Sequence, residues 1–457
     1  VLKYKLDMTW LKRILIAIGL LLALALAVPY FFTFNNYIPR IEKAIFTELK
    51  EPVSIKSIKF TSFPRPHLDI EGITLGANED IILNKVVLIP DILSLLQSSL
   101  VIKSIEIDSP IVTQKTFDKI LKLIKTNIDP ASQKPSQVRI ESIHFVNALI
   151  KFGKVNFGPF DARVNLDSKG KPFEAKINTL DGALKIFIKP DQSHYLIDAN
   201  AKKWTLPIGP QLVLDELNIK GVATTKDLKF NLISAKLYGG SINGKATFSW
   251  LKGYKLSGNL DINQVELQKI ASMLSSKTHI SGKLIAEPIF SASAVSATQL
   301  INTLHLESPY KVKNGVLYGV DIQKAATNLI KKGSTGGETR FDQLSGHLVM
   351  AHNGYKFTQL KITSGTLAVD GSVNISAKKD LSGRINVEVA AVGISTKVPL
   401  NISGTVDAPL LYPTGATIAG AAIGTAIMGP VVGTSVGAKV GGWVDNIFGK
   451  EENKSPK

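Results

Sequence analysis

The sequence predicts a mainly β protein, in which an N-terminal transmembrane helix is followed by a long antiparallel-type β-sheet with a few short helices. Three observations carry this reading. Residues 14–34 form an uncharged apolar run. Most of 138–407 alternates apolar and polar residues with period two, and turn residues punctuate that alternation about every 8–12 positions.

The apolar run extends from Ile14 through Leu22 to Phe34, with Lys12 and Arg13 just before it. At about 1.5 Å per helical residue, twenty-odd residues cross a bilayer core. A cleaved signal peptide is the competing reading, because Ala25-Leu26-Ala27 fits a small-x-small cleavage pattern. Residues 28–34, however, stay apolar and aromatic where a mature chain turns polar, so the segment is read as an uncleaved anchor. Lys3, Lys5, Lys12 and Arg13, against Asp7 alone, place the N-terminus in the cytoplasm. Everything from about Asn35 onward is then expected to be exported.

Composition narrows the function classes. The 457 residues suffice for two or three domains after the anchor. Cysteine is absent, which removes disulfides, thiol chemistry and the usual structural zinc sites. The formal net charge is +17 with pI ≈ 9.6. Such a balance suits acidic partners, and for an exported chain the nearest acidic surface is phospholipid headgroups. A well-solvated surface accounts for the same charge more plainly. Nucleic acid is not expected as a partner, since the lysines are scattered along strand-like sequence and the anchor keeps the chain out of the cytoplasm.

After the anchor, Pro39 opens a short helix with Ile38, Ile41, Ile45 and Leu49 on one face. Period two then takes over, with a rigid break at Phe63-Pro64-Arg65-Pro66 and a small helical turn at Ile92, Leu93, Leu95 and Leu96. Residues 116–127 form a basic amphipathic helix, with Phe117, Ile120, Leu121 and Ile124 on its apolar face. Packing on a sheet and resting on a membrane surface are both open to it. Residues 129–137, with Pro130 and Pro135, form the linker. Beyond it, Ala246, Phe248 and Trp250 share a face with Leu256, Leu260 and Ile262, and Leu367, Val369, Val373 and Ile375 repeat the pattern. Opposite positions are polar, so one sheet face is apolar and the other wet. Helices are expected at 267–274 and 321–330. The chain divides as 1–35 (cytoplasmic N-terminus and transmembrane helix), 36–128 (N-terminal region), 129–413 (β region) and 414–457 (glycine-rich apolar tail).

In that tail, Gly429, Gly433, Gly437 and Gly441 recur every four residues. This spacing lets membrane helices approach closely, so the four are candidates for membrane or partner contact; a flexible tail is the plainer alternative. No catalytic, metal or cofactor residues emerge. The seven histidines include no i, i+4 pair, Gly333-Ser334-Thr335-Gly336-Gly337 lacks the Gly-Lys-Ser/Thr of a phosphate loop, and no Gly-x-Ser-x-Gly elbow is present. The chain is not expected to be an enzyme, and no cofactor is expected.

Several of these stretches resemble the AsmA family of bacterial envelope proteins. At the N-terminal end they are the anchor, the helix after it, Pro52-Val53, Phe63-Pro64-Arg65-Pro66 and Ile107-Asp108-Ser109-Pro110. In the C-terminal half they are Leu237-Tyr238-Gly239-Gly240, the run from Asn314-Gly315 to Val320-Asp321, Ile402-Ser403-Gly404-Thr405 and Pro409. The lysine-rich helix at 116–127 departs from the pattern, where more β sequence belongs. The resemblance implies an inner-membrane protein with an elongated periplasmic sheet curled into a groove, related to bridge-like lipid-transfer proteins. Roughly 25 strands side by side at about 4.8 Å would run on the order of 100 Å. The function implied is envelope and outer-membrane biogenesis, binding or moving phospholipid along an apolar β-groove. The alternative is a non-enzymatic assembly or regulatory protein that acts through an envelope protein partner.

Overall fold

A computed structural model of the chain describes residues 34–76, 81–96, 99–113, 115–116, 138–152, 155–207, 211–275, 277–327, 335–365, 367–391 and 394–415. Ile14 and Leu22 of the expected anchor, the linker at 129–137 and the tail with Gly429, Gly433, Gly437 and Gly441 lie outside the described residues. Among those described, no helix is long and apolar enough to cross a membrane. Mainly β structure is found, in two compact units, Val1–Gln192 and Ser193–Lys457.

In the first unit a 3-10 turn, Phe34–Tyr37, leads into helix α1 (Ile38–Leu49). Pro39 sits in its first turn, where a missing N–H costs nothing. Lys50 ends it in the left-handed conformation (φ 56), donating its N–H to the Phe46 carbonyl. Ten strands follow: β1 (Val53–Thr61), β2 (His67–Leu75), β3 (Ile81–Pro90), β4 (Leu100–Asp108), β5 (Ile111–Thr113), β6 (Val138–Ile140), β7 (Ser142–Phe152), β8 (Val155–Leu166), β9 (Pro172–Thr179) and β10 (Leu184–Asp191). Strands β1 to β4 form one antiparallel meander and β7 to β10 another.

The two meanders are joined in a way that corrects the expected antiparallel sheet. Strands β6 and β7 run parallel to β4, and β7 runs parallel to β5, so the sheet is mixed. Parallel neighbours require a crossover of a dozen or more residues, usually helical, and the chain between β5 and β6 supplies that length. Lys115 and Thr116 begin a helix there; the rest of the amphipathic pattern lies outside the described residues. Strands that follow the expected linker therefore pair with strands that precede it.

The outer edge of β1 is capped by the segment before it. Asn35 Oδ1 accepts the Ile58 N–H at 2.8 Å, and Glu42 Oε1 accepts the Ile55 N–H at 2.8 Å. Unpaired strand edges template aggregation, and two side chains remove these donors. Phe34, Ile38 and Ile41 pack on Ile55, Ile58, Ile70 and Val86, and the Phe34 ring stacks on Phe60 with centroids 6.0 Å apart. Phe34, expected as the last residue of the membrane span, thus belongs to the packed first unit.

The second unit has fifteen strands: β11 (His194–Thr205), β12 (Val213–Ala223), β13 (Asp227–Leu237), β14 (Gly240–Ser249), β15 (Tyr254–Glu266), β16 (His279–Ile280), β17 (Lys283–Ala286), β18 (Ile289–Ala294), β19 (His305–Tyr318), β20 (Glu338–Ala351), β21 (Gly354–Ser364), β22 (Leu367–Ile375), β23 (Leu381–Ala391), β24 (Ile394–Thr405) and β25 (Ala408–Pro413). Its strand pairings are antiparallel. Three short strands, β16, β17 and β18, together fill one position: β17 and β18 pair with β15, and all three pair with β19. The expected helices form as α2 (Gln268–Leu274) and α3 (Ile322–Thr327). A 3-10 turn, Ala297–Thr303, connects β18 to β19. On β25, Pro409 and Pro413 pair with Gly404 and Leu400 of β24. A proline cannot donate to the ladder, so both occupy positions whose N–H would face the open edge.

The β1 cap makes a prediction. In Glu42→Ala the amide of Ile55, and in Asn35→Ala that of Ile58, should exchange hydrogen about ten-fold faster or more, in line with about 1–3 kcal/mol for such bonds. Residue-resolved hydrogen exchange checks this, with the β9 amides as the unaffected reference.

Candidate functional site

The register turns the alternation of each strand into continuous rungs. In the first unit one rung runs Ile58–Ile70–Val86–Ile107–Phe145–Ala162–Ile177–Ile186, each residue directly opposite the next. A second runs Phe60–Leu68–Leu88–Ile105–Ile143–Val164–Ala175–Ile188 through the same strands. No polar side chain interrupts either one. Eight strands at about 4.8 Å make each rung roughly 34 Å long. Under α1 the face is closed, with Ile58, Ile70 and Val86 buried. Past β3 the face is less evenly closed: Ala162 is buried, with Phe145 and Ile177 packed beside it, while Ile107 and Ile186 are half-buried.

The second unit repeats the arrangement. Its longest rung is Ile197–Gly221–Phe230–Ala246–Gly258–Phe290–Leu306–Met350–Tyr355–Ile375–Leu381. Beside it lies Ala201–Leu217–Ala235–Ile242–Ile262–Ala286–Tyr310–Gly346. Towards β25 a third rung, Val312–Leu344–Ile362–Val369–Val387–Val398, is fully buried. Helix α3 covers it, inserting Ile322, Ala325 and Ala326 into the same cluster. That plug is fixed at its start by Thr339, a buried residue whose Oγ1 accepts the Ile322 N–H at 3.0 Å and donates to the Val320 carbonyl at 2.8 Å. The long rung is less deeply buried, Gly221 and Ala246 apart. Phe230, Phe290, Leu306, Met350 and Ile375 are half-buried and Tyr355 is exposed.

Four cross-strand pairs set an aromatic ring opposite a glycine: Gly221 with Phe230, Gly258 with Phe290, Gly315 with Phe341, and Gly346 with Tyr310. A Cβ added at Gly315 or Gly258 would come within 2.4 or 2.6 Å of the ring Cζ, and one at Gly346 within 2.7 Å of the Tyr310 hydroxyl. The rings lie across the strands and fill the space a side chain would need, a known way of compensating glycine in a sheet. Two tyrosines bring hydroxyls to this face, the exposed Tyr355 and the largely buried Tyr310. The Tyr310 ring meets Phe357 edge-on with centroids 5.9 Å apart. Its hydroxyl is buried without a hydrogen-bond partner among the described residues, and burial raises its pKa to about 12.

The opposite faces are mostly polar. In the first unit the matching rung is Lys59–Asp69–Val87–Glu106–His144–Arg163–Lys176–Phe187. Glu71 is held below its usual pKa chiefly by hydrogen bonding from Lys59, and Glu216 in the second unit likewise by Lys236. Lys203 does the same for Asp215. His67 faces Asp69 at 3.6 Å, His144 faces Glu106 at 3.9 Å and His305 bonds Glu307 at 2.9 Å. Among the described residues no cluster of three metal-ligating side chains occurs.

Of the site residues expected from sequence, Phe34 alone is described, and it is packed as above. The period-two pattern did mark part of that face, in Ala246, Phe248, Leu256 and Ile262. It could not align Phe145 or Ile177 with Ile58, because that alignment passes through the parallel junction. The signal for that junction was the helix-length amphipathic stretch between two strands.

These features define a class: mainly β proteins whose sheets carry one continuous apolar face, closed in places by short helices and half-exposed elsewhere. The model of the AsmA family matches residues 8–157 and places that stretch in the family. The C-terminal stretches that resemble the same family lie beyond the matched residues. No curated protein and no solved structure matches the chain.

Tyr310 provides a test of the buried face. Its folded pKa lies above the unfolded value of about 10, so unfolding releases a proton once the pH exceeds about 10, and stability should fall as pH rises from about 10 to 12. Tyr310→Phe should flatten that fall and leave stability at pH 7 unchanged or slightly raised, as read by chemical denaturation at both pH values.

Proposed function

We propose that the chain is an inner-membrane-anchored, periplasmic protein of envelope biogenesis that binds or moves phospholipid along its apolar sheet faces. One observation carries the proposal: the rung that begins at Ile58 crosses eight strands without a polar side chain, the rung that begins at Ile197 crosses eleven with the exposed Tyr355 as its one hydroxyl, and several residues of both are only half-buried. Exposed continuous apolar surface of this kind marks a binding site, and the AsmA match over residues 8–157 supports lipid as the ligand.

The physics of transfer follows from the repeat. Each methylene kept out of water is worth about 0.8 kcal/mol, so a lipid tail cannot cross a wet gap without a large barrier. Along a rung, each step of about 4.8 Å meets another apolar side chain or a glycine beside which a neighbouring aromatic ring lies. The tail therefore keeps the same surroundings from step to step, while the headgroup stays on the solvent side. No step calls for bond chemistry, and no enzymatic role is assigned. Action through a protein partner finds little support at the described edges, since β1 is capped by Asn35 and Glu42 and β25 carries Pro409 and Pro413.

The test uses a phospholipid with a photoactivatable acyl chain, added to the full chain in lipid nanodiscs, with labelled peptides mapped after proteolysis. Phe145→Glu and Phe230→Glu should each lower labelling of the sheet peptides several-fold. Lys176→Glu and Lys220→Glu, the same new charge on the polar face, should leave it unchanged. Equal labelling in all four variants would contradict the proposal.

A further inference from the structure

Exposed aliphatic side chains gather at the margin of the second unit where β14 and β18 end and β15 begins. Leu251, in the turn from β14 to β15, is 52% exposed; Val295, just after β18, is 89% exposed; and Ile301, in the turn Ala297–Thr303, is 53% exposed. Turns are normally built from glycine, proline and short polar residues, so three bulky aliphatics on neighbouring turns are out of pattern. Local structure holds them close. A Cβ on Gly253, two residues after Leu251, would lie 3.0 Å from the Ala294 carbonyl, and Thr303 Oγ1 accepts the Ser293 N–H at 3.1 Å.

Behind them stands an aromatic cluster. The rings of Trp250 and Phe248 are 5.7 Å apart, and Phe248 stacks on Tyr254 at 6.1 Å. Phe248 pairs in turn with Leu228 and Leu256 on the apolar face. The aromatic cluster thus lies between the turn that carries Leu251, next in sequence to Trp250, and the interior rungs. Trp250 also ties down the adjacent turn from β12 to β13, donating its indole N–H to the Thr225 carbonyl at 3.0 Å and its backbone N–H to the Lys226 carbonyl at 3.1 Å. Exposed Lys226 and Lys252 flank the patch. The nearby carboxylate, Asp227, is engaged by the Thr224 hydroxyl at 2.6 Å and by Lys229 at 3.7 Å.

We propose that this lip is a bilayer contact through which acyl chains pass sideways between a membrane and the apolar face, a proposal that rests on the lipid-handling function above. Leu251, Val295 and Ile301 enter the interfacial zone of an anionic phospholipid bilayer, and Lys226 and Lys252 meet the lipid phosphates. Aliphatic side chains rimmed by tryptophan and lysine match the chemistry of that zone. Because the aromatic cluster connects the lip to the rungs, a tail entering there reaches the interior without crossing water.

The absence of cysteine makes single-site labelling direct. Val295→Cys and Leu251→Cys, each carrying an environment-sensitive fluorophore, are prepared in the full chain held in nanodiscs, with Asn259→Cys on the polar face as reference. Vesicles of phosphatidylcholine and phosphatidylglycerol containing doxyl-labelled lipid are then added. The labels at 251 and 295 should shift to the blue and be quenched at least two-fold more than the label at 259. Lys226→Glu combined with Lys252→Glu, or vesicles of phosphatidylcholine alone, should raise the vesicle concentration needed several-fold. Quenching at 251 and 295 no greater than at 259 overturns the proposal, as does a blue shift that depends on protein concentration without vesicles, which would mean that a second copy covers the patch. If acyl-chain labelling of the interior persists while the lip stays unquenched, the lip alone is rejected; if both are lost, the lipid reading fails with it.

Discussion

Cross-strand register holds Ile58, Ile70, Val86, Ile107, Phe145, Ala162, Ile177 and Ile186 on one line of the first unit, and everything else about the sheet depends on it. The side-chain period of a strand is two, so a slip of one residue turns a whole strand over. Such a slip in β9 would bring Lys176 to the line where Ile177 stands and break the apolar surface. The second unit reinforces its register with shape as well as pattern. Phe341 fits opposite Gly315 and Phe290 opposite Gly258 because nothing larger than hydrogen stands at those positions. A shifted pairing would place a ring against a side chain and leave a glycine uncovered.

Register of this quality yields an apolar face that must still be covered, because a sheet buries such a face only against another layer. The chain covers the ends of its rungs economically. Helix α1 closes the β1 side of the first unit with Phe34, Ile38 and Ile41, and α3 closes the β25 side of the second with Ile322, Ala325 and Ala326. Both helices are fastened to backbone by polar side chains, α1 through Glu42 and α3 through Thr339. Past those closed stretches Phe145 and Ile177 pack beside the buried Ala148, Phe160 and Ala162, and Ile107, Ile186, Phe230 and Phe290 stay half-buried. Acyl chains match the apolar chemistry of that surface.

Much of this was legible in sequence. The alternation through Ala246, Phe248 and Trp250 and through Leu367, Val369 and Val373 marked strands and their apolar side, and the short helices after Leu267 and Asp321 were visible from their spacing. The parallel junction was not, because sequence alternation does not report strand direction; only the long amphipathic connection from Thr116 hinted at it. Tyr310 and Gly346 look ordinary until register sets them face to face. Asn35 and Glu42 likewise read as surface residues, since an edge cap depends on a strand many positions away. The lip at Leu251, Val295 and Ile301 escaped detection for the same reason: its residues come from separate turns that only the β15–β18 pairing brings together.

The central claim, that lipid tails lie against the rungs, is tested most directly by neighbouring residues that face opposite sides of one strand. A benzophenone amino acid placed at Ile177 or at Lys176 in the full-length protein is irradiated in living cells, and the purified protein is examined by mass spectrometry for adducts of phospholipid mass. Adducts at 177 and none at 176 are predicted. Adducts of equal yield at both positions, or protein adducts alone at 177, would contradict it.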